Sequence, residues 1–305
     1  MLRDAWLHRL FIVYKIKFMK EKFDEIIADF ESKYGNGEGL DESIEEGRRN
    51  WLDFLRNNHN NLSYWLDKVK VVEQMRIRVP KTQIAKVPED LFDRFFLEKA
   101  KDYELIEEWV KKEVMPLIGD MELPFFIKNG CFSNKFDFGD NCLVNSKDLK
   151  EVTRHICNIQ MDSLMFDTGG NLEIVIREWI KPEEGTECIY NGMPLRPEMR
   201  LFYDFDEHKY LYDANYWDWD YCHDAICGNK EQKAVYERQY PIISEKLENR
   251  RGMFLPTILK ALNAITGLSG KWSVDFILDK DGAWLIDMAD AYRSAYWDAS
   301  KIKQI

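Results

Sequence analysis

The stretch that decides the fold is Lys271–Asp290, KWSVDFILDKDGAWLIDMAD. Two apolar runs, Trp272–Leu278 and Ala283–Met288, read as strands joined by Asp279-Lys280-Asp281-Gly282. The Asp-Gly pair of that turn supplies the positive backbone angles of a tight hairpin. Each strand carries one carboxylate among apolar neighbours, Asp275 in the first and Asp287 in the second. A buried carboxylate must be neutralised, hydrogen-bonded or bound to a cation. Two that face each other across a hairpin repel unless a divalent ion lies between them, and their hard oxygens suit magnesium. Asp290, just past the second strand, is a candidate third ligand. The competing reading makes Asp275 a turn cap and leaves Asp287 and Asp290 as solvated strand-end charges. The hairpin alone does not choose between them.

Upstream of the hairpin, residues 229–268 read as two helices, Gln232–Tyr240 and a longer one over Phe254–Ile265 that ends at Gly267. Before them, Arg196–Tyr203 is a strand in which Glu198 and Arg200 alternate with Met199 and Leu201. The two charged residues therefore share one face. On an exposed sheet they form an ordinary salt bridge, and in a cleft Arg200 would clamp phosphate. Leu172–Ile180 is apolar on both sides at its centre, as a fully buried strand is, and ends in Arg177 and Glu178. Charges at that place are costly unless they meet a ligand or each other. The residues after such a strand are well placed to line a slot for an adenine ring.

Earlier still, Leu123–Lys128 is an apolar run ending in lysine, followed by the loop Asn129–Lys135 with a second lysine. Lys128 and Lys135 can both reach one polyphosphate, although the glycine spacing is not that of a Walker loop. Taken alone they are two solvated lysines on a surface loop. Cys142–Val144 is a short strand, and Ser146 is the expected N-cap of a helix over Lys147–Ile159. Residues 1–78 look mostly helical, with one helix on Phe23, Ile26, Ile27 and Phe30 that ends near Gly35-Asn36-Gly37. Others are expected over Glu42–Asn57 and Leu62–Gln74. Val79–Ile84 is extended, Pro88 opens a helix, and a further helix over Leu105–Val114 is stopped by Pro116. His59, His155 and the aromatic, Asp-rich run Tyr210–Tyr221 read as loop or packing residues.

The totals limit the classes. The 305 residues call for two or three subdomains, and the 10 Trp, 14 Tyr and 18 Phe provide a large aromatic core. A net charge of −11 opposes sequence-independent nucleic-acid binding. Six dispersed cysteines suit reduced thiols in a cytoplasm rather than a disulfide scaffold. Cys222-His223 and Cys227 lack a second pair at ligand spacing and read as structural. No stretch approaches the roughly 20 apolar residues of a membrane span, so a soluble cytoplasmic protein is expected.

The order of these pieces is more specific than any one of them. Lysine strand, lysine loop, buried strand ending Arg-Glu-Trp, Glu-x-Arg strand, long helix and two-carboxylate hairpin together resemble the ATP-grasp superfamily. Within it the chain is similar to the phage and bacterial clade related to the eukaryotic chaperone that assembles translation initiation factor two. The resemblance runs from Val79 to Trp297. It implies an α+β fold in which two subdomains, about 79–180 and 181–305, sandwich ATP, with a helical N-terminal region over 1–78.

It also implies roles. Lys128 and Lys135 would hold phosphates, and Glu178, Trp179 and Ile180 would border the base. Arg177 would face phosphate or substrate, and Arg200 of the Glu198-x-Arg200 pair would reach the γ-phosphate. Asp275 and Asp287 would carry Mg2+. Many superfamily members have Asn two residues after the second acid, where this chain has Ala289, and the clade's later Asp is matched by Asp290. The implied activity is an ATP- and Mg2+-dependent carboxylate–amine ligase, working through an acyl-phosphate on a small molecule, peptide or protein. The alternative is an ATP-binding assembly chaperone that clamps a protein partner, with the N-terminal helices as the docking surface.

Overall fold

In the computed structural model, which describes residues 40–96, 100–166, 170–226 and 229–302, the hairpin lies inside a five-stranded sheet. The expected helix over Phe23–Phe30, its Gly35–Gly37 end and Cys227 lie outside the described residues. The chain divides into two units, residues 1–54 and 55–305. In the first, the described part is the start of the helix Leu40–Arg56, on which Trp51 and Phe54 stack at 5.4 Å. The larger unit holds every strand among the described residues.

Those strands, in chain order, are β1 (Ile77–Arg78), β2 (Thr82–Lys86), β3 (Phe125–Asn129), β4 (Leu143–Val144), β5 (Glu173–Glu178), β6 (Cys188–Ile189), β7 (Met193–Pro194), β8 (Glu198–Asp204), β9 (Lys209–Asn215), β10 (Lys271–Asp279) and β11 (Gly282–Asp290). One sheet runs β2-β5-β3-β4, antiparallel throughout. The other runs β1-β11-β10-β8-β9, with only β1 parallel to its neighbour. This is a mixed α+β fold, as expected.

Alternation along the strands gives each sheet one core face. In the five-stranded sheet Val274, Phe276, Leu278, Met199, Leu201 and Leu285 are buried together. The helix Leu62–Val69 and the tighter turns Lys70–Met75 contribute Leu62, Trp65, Val69 and Val72 to that core, and the helix Lys230–Asn263 contributes Leu247, Ile258, Ala261 and Leu262. In the four-stranded sheet β5 is central, and Ile174, Val175 and Ile176 are fully buried. The helix Leu149–Met165 packs against β3 and buries Val152, Ile156 and Ile159, a three- and four-residue spacing.

Three local expectations are corrected. The helix Leu149–Met165 is capped by Asp148, whose carboxylate accepts from the amides of Lys150 and Glu151, and not by Ser146. Ser146 Oγ accepts from the Asp148 amide one step earlier, setting up the cap. Pro116 does not stop the preceding helix. Ala100–Trp109 continues through a wider turn, Val110–Val114, into Met115–Ile118, where Pro116 sits in a first turn that needs no donor from it.

The two helices read over 232–240 and 254–265 are one, Lys230–Asn263, with Pro241 and Pro256 inside it. Tyr236, Ile243, Leu247 and Ile258 stay buried along its length, so tertiary packing offsets the lost ladder hydrogen bonds. In the hairpin turn only Gly282 has a positive φ, at 149°. Among the described residues no helix is long and apolar enough to cross a membrane.

Candidate functional site

The face of the five-stranded sheet opposite its main core carries the charged residues. Asp275 stands directly across from Asp287 on β11 and from Arg200 on β8, with Ile277 across from Glu198. The register then slips, so that Phe276 pairs with Leu285 and Ile286 is left as a bulge. Such a bulge re-aims the chain beside it. Here the Ile286 carbonyl accepts a hydrogen bond from Arg177 Nη1, a residue of the other sheet.

From the four-stranded sheet, Phe126 and Lys128 share one face of β3, and Arg177 lies opposite Phe126 on β5. Lys128, with its side chain 3% exposed, donates to Asp287 Oδ2 at 2.7 Å. Arg177 Nε donates to Thr82 Oγ1 at 3.1 Å. The loop after β3 is pinned by Asn129, whose Oδ1 accepts from the amides of Cys131 and Phe132. Gly130 is required there, since a Cβ would come within 2.5 Å of Asn171 Oδ1. The loop returns Lys135 to the site, where Nζ donates to Tyr216 Oη at 2.7 Å and lies 3.4 Å from Glu198 Oε1.

These groups line one cleft of about 570 Å3, including the part open to solvent. Lys128, Lys135, Arg177, Glu198 and Asp287 form its charged lining, and Phe126, Phe138, Trp179, Ile180 and Met193 its apolar lining. Glu178 completes the segment bordering the apolar part. Phe138 and Trp179 lie 5.6 Å apart between ring centroids.

The electrostatics favour an anion. Burial draws the Arg177 guanidinium down to about 10, against the pull of Asp287 and Glu178. Burial also works to discharge Lys135, but Glu198 and Tyr216 hold its ammonium above the ordinary value. Burial opposes the charge of Arg200 as well, and Asp275 overrides it. For Asp287 burial favours the neutral acid, but Lys128, Arg177 and Lys135 together keep the carboxyl below its ordinary range. Arg177 Nη2 and Glu198 Oε2 are buried with no hydrogen-bond partner in the protein. Buried polar atoms left without partners are costly.

Arg200 does not line the cleft. It sits on the same sheet face, held by Asp275 through Nε to Oδ1 at 2.8 Å and Nη2 to Oδ2 at 2.7 Å. Asp290 is not brought to Asp275 and Asp287: its Oδ1 caps the Tyr292 amide at 2.9 Å, and its own amide donates to Asn60 Oδ1. Among the described residues no three metal-ligating side chains gather. Two facing carboxylates still suit Mg2+, which takes one or two from the protein and completes its shell with phosphate and water oxygens.

His59 stacks on Tyr64 at 4.3 Å. His155 is buried, with Nδ1 3.0 Å from the Asn141 carbonyl oxygen. Tyr216, the anchor of Lys135, was hidden in the aromatic run, where packing is the default reading of a tyrosine. Only its contact distinguishes it.

No family model matches the chain, and no curated protein matches it. Among solved structures the chain is similar to ATP-grasp proteins. An ATP-grasp RimK domain protein from Sphaerobacter thermophilus is 12% identical, with a TM-score of 0.31 over 74% of this chain and 57% of that one. D-alanine–D-alanine ligase from Bacillus anthracis, complexed with ATP, is 13% identical, with a TM-score of 0.26 over 72% and 50%. The chain is also similar to Cdc123 from Schizosaccharomyces pombe, at 16% identity and a TM-score of 0.45 over 78% of this chain and 85% of that one.

Proposed function

We propose that the cleft binds ATP with Mg2+ and that the protein is an ATP-dependent ligase joining a carboxylate to an amine. The observation that carries this is convergence. Residues scattered over Lys128–Asp287 line one cleft that is cationic in one part and aromatic in another. A nucleoside triphosphate has that division of chemistry.

Lys128, Lys135 and Arg177 would neutralise phosphates, and Trp179 and Ile180 would border the base. Arg200, which grips Asp275 beside the cleft, would have to turn from that carboxylate to reach the transferring γ-phosphoryl group. Asp275 and Asp287 would hold Mg2+, which supplies charge neutralisation at the phosphates. Residues 79–180 and 181–305 act as the two halves that enclose the nucleotide.

In the reaction a substrate carboxylate oxygen bonds to the γ-phosphorus as the bond to the β-phosphate oxygen breaks, releasing ADP. An amine nitrogen then attacks the acyl carbon, phosphate leaves, and the nitrogen loses a proton. Preorganised cations stabilise the transferring charge, and no side-chain nucleophile is needed. The fold alone does not dictate ligation.

The test is calorimetric titration with a non-hydrolysable ATP analogue, with and without Mg2+, on wild type and Asp287→Ala. Magnesium-dependent binding lost in the variant is expected, and absence of binding to wild type would refute the site. Release of ADP and phosphate only when acid and amine acceptors are both supplied separates a ligase from an ATP-binding chaperone. The chaperone would instead hold ATP in a stoichiometric complex with its partner.

A further inference from the structure

Arg196 has so far had no role. It lies two residues before β8 and lines the same cleft as Glu198. Its Nη1 donates to the Ile180 carbonyl at 2.8 Å, and its guanidinium carbon lies 5.4 Å from the centre of the Trp179 ring. It is thus fastened at the aromatic part of the cleft, beside Trp179 and Phe138, whereas Lys128 is fastened to Asp287. Its Nε is buried and has no hydrogen-bond partner in the protein.

An unspent N–H on a buried guanidinium is costly, because the donor has given up water and received nothing in return. The cost is recovered when a ligand brings an acceptor to that spot. At the phosphates any oxygen would serve. Beside Trp179, the acceptors a bound purine would bring are its ring nitrogens.

We propose that Arg196 is a specificity-determining residue that reads N1 or N7 of the purine base while its Nη1 holds the Ile180 carbonyl. This inference rests on the nucleotide reading of the cleft. The Ile180 carbonyl already accepts one hydrogen bond, so the base is recognised by a donor from Arg196 as well as by the backbone of the segment after β5. The chemistry is a charge-assisted N–H···N bond in a partly dry slot, stronger than a neutral one.

The experiment measures binding of ATP, 1-deaza-ATP and 7-deaza-ATP to wild type and to Arg196→Met, with Mg2+ present. One of the two deaza analogues should bind wild type about tenfold more weakly than ATP, the effect of one hydrogen bond to a charged group. In Arg196→Met, ATP should fall and that same analogue should bind no worse than ATP. If both analogues bind wild type as tightly as ATP does, the assignment is overturned. It is also overturned if the variant weakens all three ligands by one factor, because Arg196 then only props the Ile180 carbonyl. If none of the three binds wild type, the nucleotide reading itself is overturned. Equal losses would overturn the role of Arg196 alone.

Discussion

Asp275 and Asp287 face each other across the β10–β11 hairpin, one neutralised by a cation of their own sheet and the other by a cation of the four-stranded sheet. Arg200, on the neighbouring strand β8, grips Asp275 through two hydrogen bonds. Lys128 reaches from β3 to Asp287. The repulsion expected of two facing carboxylates, one buried and one partly exposed, is thus met by protein cations. A phosphate-bound metal would compete with these cations for the same oxygens.

The first prediction concerns Lys128. Replacing it with Ala should weaken ATP-analogue binding by tenfold or more, on the order of one desolvated charge contact. Lys81→Ala, which loses only a 3.5 Å contact to the Asp120 carbonyl, should leave affinity within about twofold. Calorimetric titration of both variants checks this, and equal effects would displace the phosphate site from Lys128.

Arg200 and Asp275 make a second case, because their side chains are only 14% and 6% exposed. Arg200→Ala leaves the Asp275 carboxylate without its partner and should destabilise the fold by about 3–5 kcal/mol. Urea denaturation of Arg200→Ala beside Arg200→Ala/Asp275→Asn should show part of the loss restored in the double variant. No recovery would mean that Asp275 finds another partner.

Acid sensitivity follows from Asp287. Its folded pKa is depressed below the ordinary 3.8. The contribution of a group with a depressed pKa is fully present above the unfolded value and is lost as pH falls through the folded one. Stability of wild type should therefore fall below about pH 4, and Asp287→Asn should show a shallower acid limb over the same range. Denaturant midpoints from pH 2 to 6 measure both slopes, and parallel curves would remove Asp287 from the account.

The N-cap offers a plain structural test. Asp148→Ala should cost about 1 kcal/mol by removing two amide partners at the start of Leu149–Met165. Ser146→Ala should cost less, because its hydroxyl serves only the Asp148 amide. Thermal melts of the two variants rank them, and the reverse order would restore Ser146 as the cap.

The sequence by itself determined the local elements whose cause is local. The alternation in 198–201 and the Asp-Gly turn at 281–282 sufficed for β8 and the hairpin, and the unbroken apolar centre of 172–180 marked a buried strand. Glu198 and Arg200 were placed on one face for the same reason.

Only the tertiary structure decided where the long-range balance of forces fell. Pro241 and Pro256 stay inside one helix because buried side chains on both sides of them pack on the core, a gain that no window of sequence displays. Asp290 follows Asp287 closely in sequence, yet the chain turns at 291 and spends its carboxylate on a cap. Lys128 and Asp287, 159 residues apart, meet at 2.7 Å because β3 and β11 belong to different sheets whose polar faces share one cleft. Periodicity fixes the face on which a side chain stands. Which faces come together depends on how both sheets bury their opposite, apolar sides.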